Sequence, residues 1–179
     1  MDRKEVIKIT LDLMREKKLE KTSIGEIVKR LDSSPGNLYY HFKNKNEVYK
    51  EALDYSTEEI LKSLKREQRE KNGRKYLYRL TKALIKFLEE REEILFFLVS
   101  MKGSCYLDKG LDSYDFLTKF RKILPDKHQD VMSEKEIILK LRMFLDSVYE
   151  VLYENKLLKG KNLSEEEIEK IYDSFWGKM

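Results

Sequence analysis

The chain has 179 residues, of which 39% are charged and only 2 are proline and 7 glycine, a composition that favours long, solvated α-helices over a sheet protein with many turns. Lys and Arg outnumber Asp and Glu by 12 to 8 in the first 50 residues, whereas the remainder carries 25 of each. Without an apolar run of about 18 residues or an apolar signal region, we expect a cytoplasmic protein with no membrane segment. The single cysteine, Cys105, excludes an intrachain disulfide and a zinc-binding cysteine cluster, and we interpret it as a packing residue.

Periodic apolar residues predict two helices before residue 32. The first has its apolar stripe between Val6 and Met14 and ends near Lys17. Ser23 and Glu26, three residues apart, have the pattern of a capping box and start the second helix. Both helices are short and amphipathic, as expected for a small domain that buries one face of each.

A turn and a third short helix follow. Asp32 and Ser33 interrupt the apolar pattern, and aspartate tolerates the left-handed backbone that such a turn needs. Ser34 before Pro35 is typical of an N-cap with proline at the first helical position, so we expect the third helix over 35–41. Two short helices joined by a tight turn, the second led by small polar residues, can place a helix N-terminus in the major groove of DNA.

A long helix and a helical body come next. Asn44 with Glu47 predicts a helix that runs to about Glu70, and the pair Asn72 and Gly73 breaks the chain after it. The remaining helices are predicted over 75–89, 92–101, 111–124, 133–155 and 164–176, the last two opened by the capping boxes Ser133 with Glu136 and Ser164 with Glu167. The predicted fold is all-α, with a three-helix helix-turn-helix head at 1–46 and a helical-bundle domain for ligand binding and dimerisation at 47–179.

The residues around the turn resemble those of the TetR family of transcriptional regulators. The resemblance is carried by Thr22, Ser23, Ile27, Val28, Ser34, Pro35, Gly36, Asn37, Leu38, Tyr39, Tyr40, His41, Phe42 and Lys45. It covers about residues 6–49. It implies a DNA-binding head before an all-α body that dimerises and often binds a small molecule, which releases the protein from its operator; repression is the family's usual effect.

The resemblance also implies which side chains touch operator DNA. Family members use the first turn of the second helix, the third or recognition helix, and a lysine at the start of the fourth helix, where a helix N-terminus already attracts phosphate. The corresponding residues are Thr22, Ser23, Ser34, Pro35, Gly36, Asn37, Tyr39, Tyr40, His41 and Lys45, with Lys43 as a helper. The chain departs from the family pattern at Asp32, where glycine is usual, at Ser33, where an apolar residue packs, and at Gly25, where a longer polar side chain is common.

The sequence of the body predicts a homodimer and a small-molecule ligand. The apolar arcs of the last two helices are too wide for one neighbouring helix to cover, so we expect a symmetric contact between two copies, with completion of the monomer core as the alternative. The aromatic residues of the body suit the binding of a small hydrophobic or aromatic ligand; the alternative is that they fill the core. The predicted ligand-lining residues are Phe87, Phe97, Tyr106, Tyr114, Phe120, Phe144 and Tyr149.

An enzyme is the second class to weigh. Two histidines, one cysteine, and the lack of a glycine-rich phosphate loop or metal-ligand spacing predict no catalytic residues, no metal and no cofactor. The alternative to a regulator is an all-α adaptor that binds another protein and retains a helix-turn-helix shape without ligand sensing. Salt-dependent binding to duplex DNA would separate these two possibilities.

Overall fold

The computed structural model describes residues 2–17, 21–102, 114–125 and 132–177, apart from the side chain of Tyr114. These parts of the chain are helices and connecting turns with no strand, which confirms the predicted all-α class. The helices are α1 (Arg3–Lys17), α2 (Ile24–Arg30), α3 (Pro35–His41), α4 (Lys45–Lys65), α5 (Gly73–Glu90), α6 (Glu92–Met101), α7 (Tyr114–Arg121), α8 (Glu134–Leu152) and α9 (Glu165–Trp176). Cys105 and residues 111–113 lie outside the described residues.

Two helix ends differ from the sequence prediction. α4 ends at Lys65 rather than near Glu70, because the segment after Leu64 is polar throughout and has no apolar side chain to bury. α5 begins at Gly73, two residues earlier than predicted. The Asn72 side chain caps this helix by accepting hydrogen bonds from the backbone N–H groups of Arg74 and Lys75 over 3.1 and 3.2 Å. The pair Asn72 and Gly73, predicted to break the chain, is therefore the start of α5.

The helix after Ser133 also changes character near its end. α8 ends at Leu152 and is followed directly by a π-helical segment over Tyr153–Leu158. The sequence predicted a single helix up to Asn155. Asn155 Nδ2 donates to the carbonyl of Val151 over 3.0 Å within this segment. Both capping boxes predicted for the last two helices are present, each with the serine side chain and the glutamate side chain bonded to the backbone.

Packing divides the described residues into two compact units. The first comprises 2–57 and 92–102, and the second comprises 58–91 and 114–177. The first unit contains α1 to α3, the first part of α4, and α6. α1 packs against α6, and Arg15 on α1 forms an ion pair with Glu92 at its start.

The first unit has a small apolar core made by α1 to α4. Its fully buried side chains come from every one of these helices, so the helix-turn-helix pair is fixed against both its neighbours. The core residues are Val6, Leu13, Ile27, Val28, Leu38, Phe42 and Val48, with Ile9, Ile24 and Leu31 packed against them.

The second unit is a bundle in which α5 packs against α8 and α9, and α7 packs against α8. A buried carboxylate fixes the start of α9. Glu89 on α5 accepts a hydrogen bond from the backbone N–H of Leu163 over 2.5 Å and pairs with Lys86 over 3.2 Å. Because a buried carboxylate needs such partners, this contact ties the turn before α9 to α5.

Candidate nucleic-acid interface

The turn between α2 and α3 is a Schellman motif. The N–H of Asp32 donates to the carbonyl of Lys29 over 3.3 Å, and the N–H of Ser33 donates to that of Val28 over 3.1 Å. Asp32 has φ 47°, the left-handed conformation expected where the family usually has glycine. The turn therefore forms with aspartate in that position, as the sequence predicts.

Serine side chains cap both helices of the pair. Ser23 Oγ accepts from the N–H of Glu26 over 3.2 Å, and Ser34 Oγ accepts from the N–H of Asn37 over 3.3 Å. The Glu26 carboxylate forms an ion pair with Lys17, so its side chain also links α2 to α1. Both helices thus begin where their caps predict.

The third helix has one buried face and one open face. Leu38 and the residue that ends the helix, Phe42, are fully buried, while Tyr39 and Tyr40 have 52% and 85% of their surface exposed. The predicted DNA-contacting residues on the open side are Ser23, Ser34, Pro35, Gly36, Asn37, Tyr39, Tyr40 and Lys43, and His41 is partly exposed. These residues all lie in the first unit, on α3 or in the segments that flank α2 and α3.

Thr22 is the exception among the predicted contacts. It has no accessible surface, and its carbonyl accepts a hydrogen bond from Tyr49 Oη over 3.5 Å. The residue lies just before the cap of α2, where it packs inside the unit. A direct DNA contact by Thr22 is therefore not part of the function proposed below.

Lys45 lies partly buried at the start of α4. Its ammonium is 5.1 Å from the centre of the Tyr49 ring, and burial lowers its pKa from the ordinary value. The helix start is capped by Asn44, whose Oδ1 accepts from the N–H of Glu47 over 3.0 Å. A phosphate near this helix N-terminus would meet both the ammonium and the positive end of the helix dipole.

Two residues of this surface were missed by sequence reasoning. Ser33, noted only as a departure from the family, accepts a hydrogen bond from Asn37 Nδ2 over 3.0 Å. Arg3 forms ion pairs with Glu47 and Glu51, which raise its pKa, and its guanidinium lies 4.6 Å from the centre of the Phe42 ring. Arg3 thereby joins α1 to the end of α3 and to α4, an arrangement that the periodicity of the sequence does not encode.

The predicted ligand-lining residues are distributed over both units. Phe97 is buried in the first unit, whereas Phe120 and Phe144 are buried in the second. Phe144 makes edge contacts with Phe175 and Trp176, at 5.5 and 5.4 Å between ring centres. These aromatic residues fill the cores of their units.

The other predicted ligand residues have mixed environments. Tyr149 is buried, and burial raises the pKa of its hydroxyl. Phe87 is half-buried, with the Arg91 guanidinium 5.9 Å from its ring centre. Tyr106 and the side chain of Tyr114 lie outside the described residues. Three surface grooves of about 420, 460 and 480 Å³ in the described part of the second unit are lined by other residues.

Comparison with known proteins places this surface in a family. Residues 6–52 match the family described as bacterial regulatory proteins, tetR family, and these residues contain α2, the turn and α3. Over this segment the chain is similar to the TetR family. The HTH-type transcriptional regulator QacR of Staphylococcus aureus is 39% identical over 83 residues, a match that covers 38% of this chain and 44% of that relative. The matched segment is thus less than half of the relative's length.

Solved structures of transcription regulators share the fold of the chain. A TetR family transcription regulator from Marinobacter aquaeolei VT8 has a TM-score of 0.77 at 19% identity, covering 98% of this chain and 93% of the other. A transcriptional regulator from Rhodococcus sp. Rha1 has a TM-score of 0.76 at 19% identity, covering 99% and 95%. The chain therefore shares the all-α fold of these two regulators at low sequence identity.

No helix among the described residues is long and apolar enough to cross a membrane. Within the same residues, no group of three or more His, Cys, Asp or Glu side chains is arranged to hold a metal ion.

Proposed function

We propose that this chain is a DNA-binding transcriptional regulator that docks α3 in the major groove of an operator. The observation that supports this most directly is the open face of α3, with Asn37 and Tyr40 exposed above a fully buried Leu38, inside the segment that matches the family. Amide and hydroxyl groups on such a face can bond base edges and phosphates, while the apolar side chains hold the helix.

Charge supports the same function. The excess of 12 basic over 8 acidic residues lies in the first 50 residues, and the rest of the chain is balanced. A basic head attracts the phosphate backbone, and release of the counterions condensed there makes the affinity fall steeply with salt. Lys43 and Lys45 are the cations next to α3 in the sequence and supply phosphate contacts in this proposal.

The regulator acts as a homodimer on a palindromic operator and represses transcription. Support for the dimer comes from an apolar groove of about 460 Å³ between α8 and α9, beside which Leu139 and Met143 are 58% and 56% exposed. Large exposed apolar side chains close together mark association surfaces. A second copy placed by two-fold symmetry would cover the same residues on each chain.

A small hydrophobic or aromatic ligand releases this regulator from its operator. The support is the aromatic content of the body, because pockets for such molecules are lined mainly by apolar and aromatic side chains. By linkage, a ligand that weakens operator binding tenfold must bind the operator complex about tenfold more weakly than the free protein. Titrating candidate aromatic compounds with and without operator measures this coupling, and equal affinities would refute it.

Selection of bound duplexes from a random DNA pool tests the proposed function. We expect an enriched sequence with two inverted half-sites whose centres are about 34 Å apart or a multiple of that distance, since both recognition helices must reach the groove on one side. The same selection with Asn37→Ala is the matched comparison. An adaptor that binds only protein would enrich no sequence with either chain.

A further inference from the structure

Both the side chain and the backbone N–H of Asn37 donate hydrogen bonds to serines of the turn. Its Nδ2 donates to Ser33 Oγ over 3.0 Å, and its backbone N–H donates to Ser34 Oγ over 3.3 Å. The backbone of Ser33 is itself fixed, because its N–H donates to the carbonyl of Val28 within the Schellman turn. The amide plane of Asn37 is therefore set by the turn as well as by the helix that carries it.

The hydrogen bond to Ser33 leaves other hydrogen-bonding groups of the Asn37 amide available to a base. The hydrogen bond to Ser33 uses one of the two N–H groups on Nδ2, so one N–H and Oδ1 remain as an adjacent donor and acceptor. Adenine presents the complementary pair in the major groove, N7 as acceptor and the N6 amino group as donor. Asn37 is an exposed residue, so the approach of a base to its side chain is open.

We infer that Ser33 is a positioning residue that orients Asn37 to bind an adenine in the operator. The inference rests on the proposed function. An apolar residue at position 33 would pack between the helices but could not bond the Asn37 amide. Serine at this position packs less well and instead orients that amide. Fixing one side-chain rotamer before binding is worth about three- to tenfold in affinity, and only for the base that the amide contacts.

The experiment measures base preference at one position. Asn37→Ala first identifies, on the selected operator, the base pair at which the preference is lost; we expect an A·T pair. Ser33→Ala should then lower the preference for adenine over the other bases at that pair by about three- to tenfold. Its affinity for random duplex DNA and its melting temperature should stay close to those of the wild type.

Two further variants exclude a merely structural role. Ser33→Thr keeps the hydroxyl and should restore much of the preference. In the Asn37→Ala background, Ser33→Ala should have no further effect at that base pair, because the residue it orients is gone. A Ser33→Ala chain with unchanged base preference, or one that loses the same factor in both backgrounds, would overturn the inference while leaving DNA binding intact. A wild-type chain that binds no duplex DNA would instead refute the proposed function itself.

Discussion

At Asp32 the chain adopts φ 47°, a conformation that L-residues reach at a cost of about 1 to 2 kcal/mol unless they are aspartate or asparagine. We predict that Asp32→Gly keeps or slightly raises the free energy of unfolding, whereas Asp32→Val lowers it by about 1 to 2 kcal/mol, because a β-branched side chain tolerates this backbone least. Urea denaturation of the three proteins checks the order. An equal stability of the valine and glycine variants would show that the turn is relaxed in another conformation.

The phosphate contact proposed for Lys45 can be tested by substitution. We predict that Lys45→Ala lowers affinity for every duplex and flattens the slope of log K against log salt by about one unit, since each neutralised phosphate contributes roughly 0.9. Fluorescence anisotropy across a salt series gives both values. Lys170→Ala, an exposed lysine on α9, is the matched control and should leave the slope unchanged. Equal slopes for Lys45→Ala and the wild type would remove Lys45 from the interface.

At the scale of a helix, the capping boxes make a pH-dependent prediction. Hydrogen bonds from the backbone and side chain of Ser164 lower the pKa of Glu167 below its usual value of 4.5. A carboxyl whose pKa is lowered on folding stabilises the folded chain above its unfolded pKa, and this contribution disappears as pH falls through the folded pKa. Glu167→Gln should therefore melt below the wild type at pH 7, with a difference that shrinks on acidification below pH 4.5. A constant difference would mean that the charge takes no part in the cap.

The serine of the same box gives a simpler test of α9. Ser164→Ala removes the acceptor for the N–H of Glu167 and should lower the free energy of unfolding by about 1 kcal/mol. Ser63→Ala provides the comparison, because Ser63 is a partly exposed serine within α4 rather than at a helix cap. If both substitutions cost the same, the cap contributes no more than an ordinary surface serine.

Helix starts in this protein are predictable from sequence, and helix ends and long-range contacts are less so. The serines at 23, 34, 133 and 164 each cap the helix expected after them, because a cap depends on residues only three positions apart. The end of α4 depends on where burial stops, which periodicity marks less sharply. The bonds of Arg3 with Glu47 and Glu51 span more than forty residues and have no local signal.

The candidate site shows the same division. The open face of α3 follows from the positions of Leu38 and Phe42 in the sequence, since opposite sides of a short helix are fixed by its period. The burial of Thr22 and the bond between Ser33 and Asn37 do not follow from it, because they depend on how the turn places the preceding residues.

At the scale of the whole molecule, the oligomeric state tests the proposed dimer. We predict that light scattering gives twice the chain mass of 21.6 kDa. The double variant Leu139→Glu with Met143→Glu should be a monomer, because each chain would have to bury two charges in the interface. Leu158→Glu is the matched control, since Leu158 is 65% exposed but lies outside the groove between α8 and α9. A wild-type monomer at micromolar concentration would contradict the dimer.

The most direct test of the central claim compares one duplex with its scrambled counterpart. The affinity of the full chain for the selected operator and for a scrambled duplex of equal length and composition is measured at physiological salt, for the wild type and for Asn37→Ala. The wild type should bind the operator at least about 10³-fold more tightly, and Asn37→Ala should lose about 1 to 3 kcal/mol on the operator and little on the scrambled duplex. Equal affinity of the wild type for both duplexes would contradict the claim that α3 binds specific DNA.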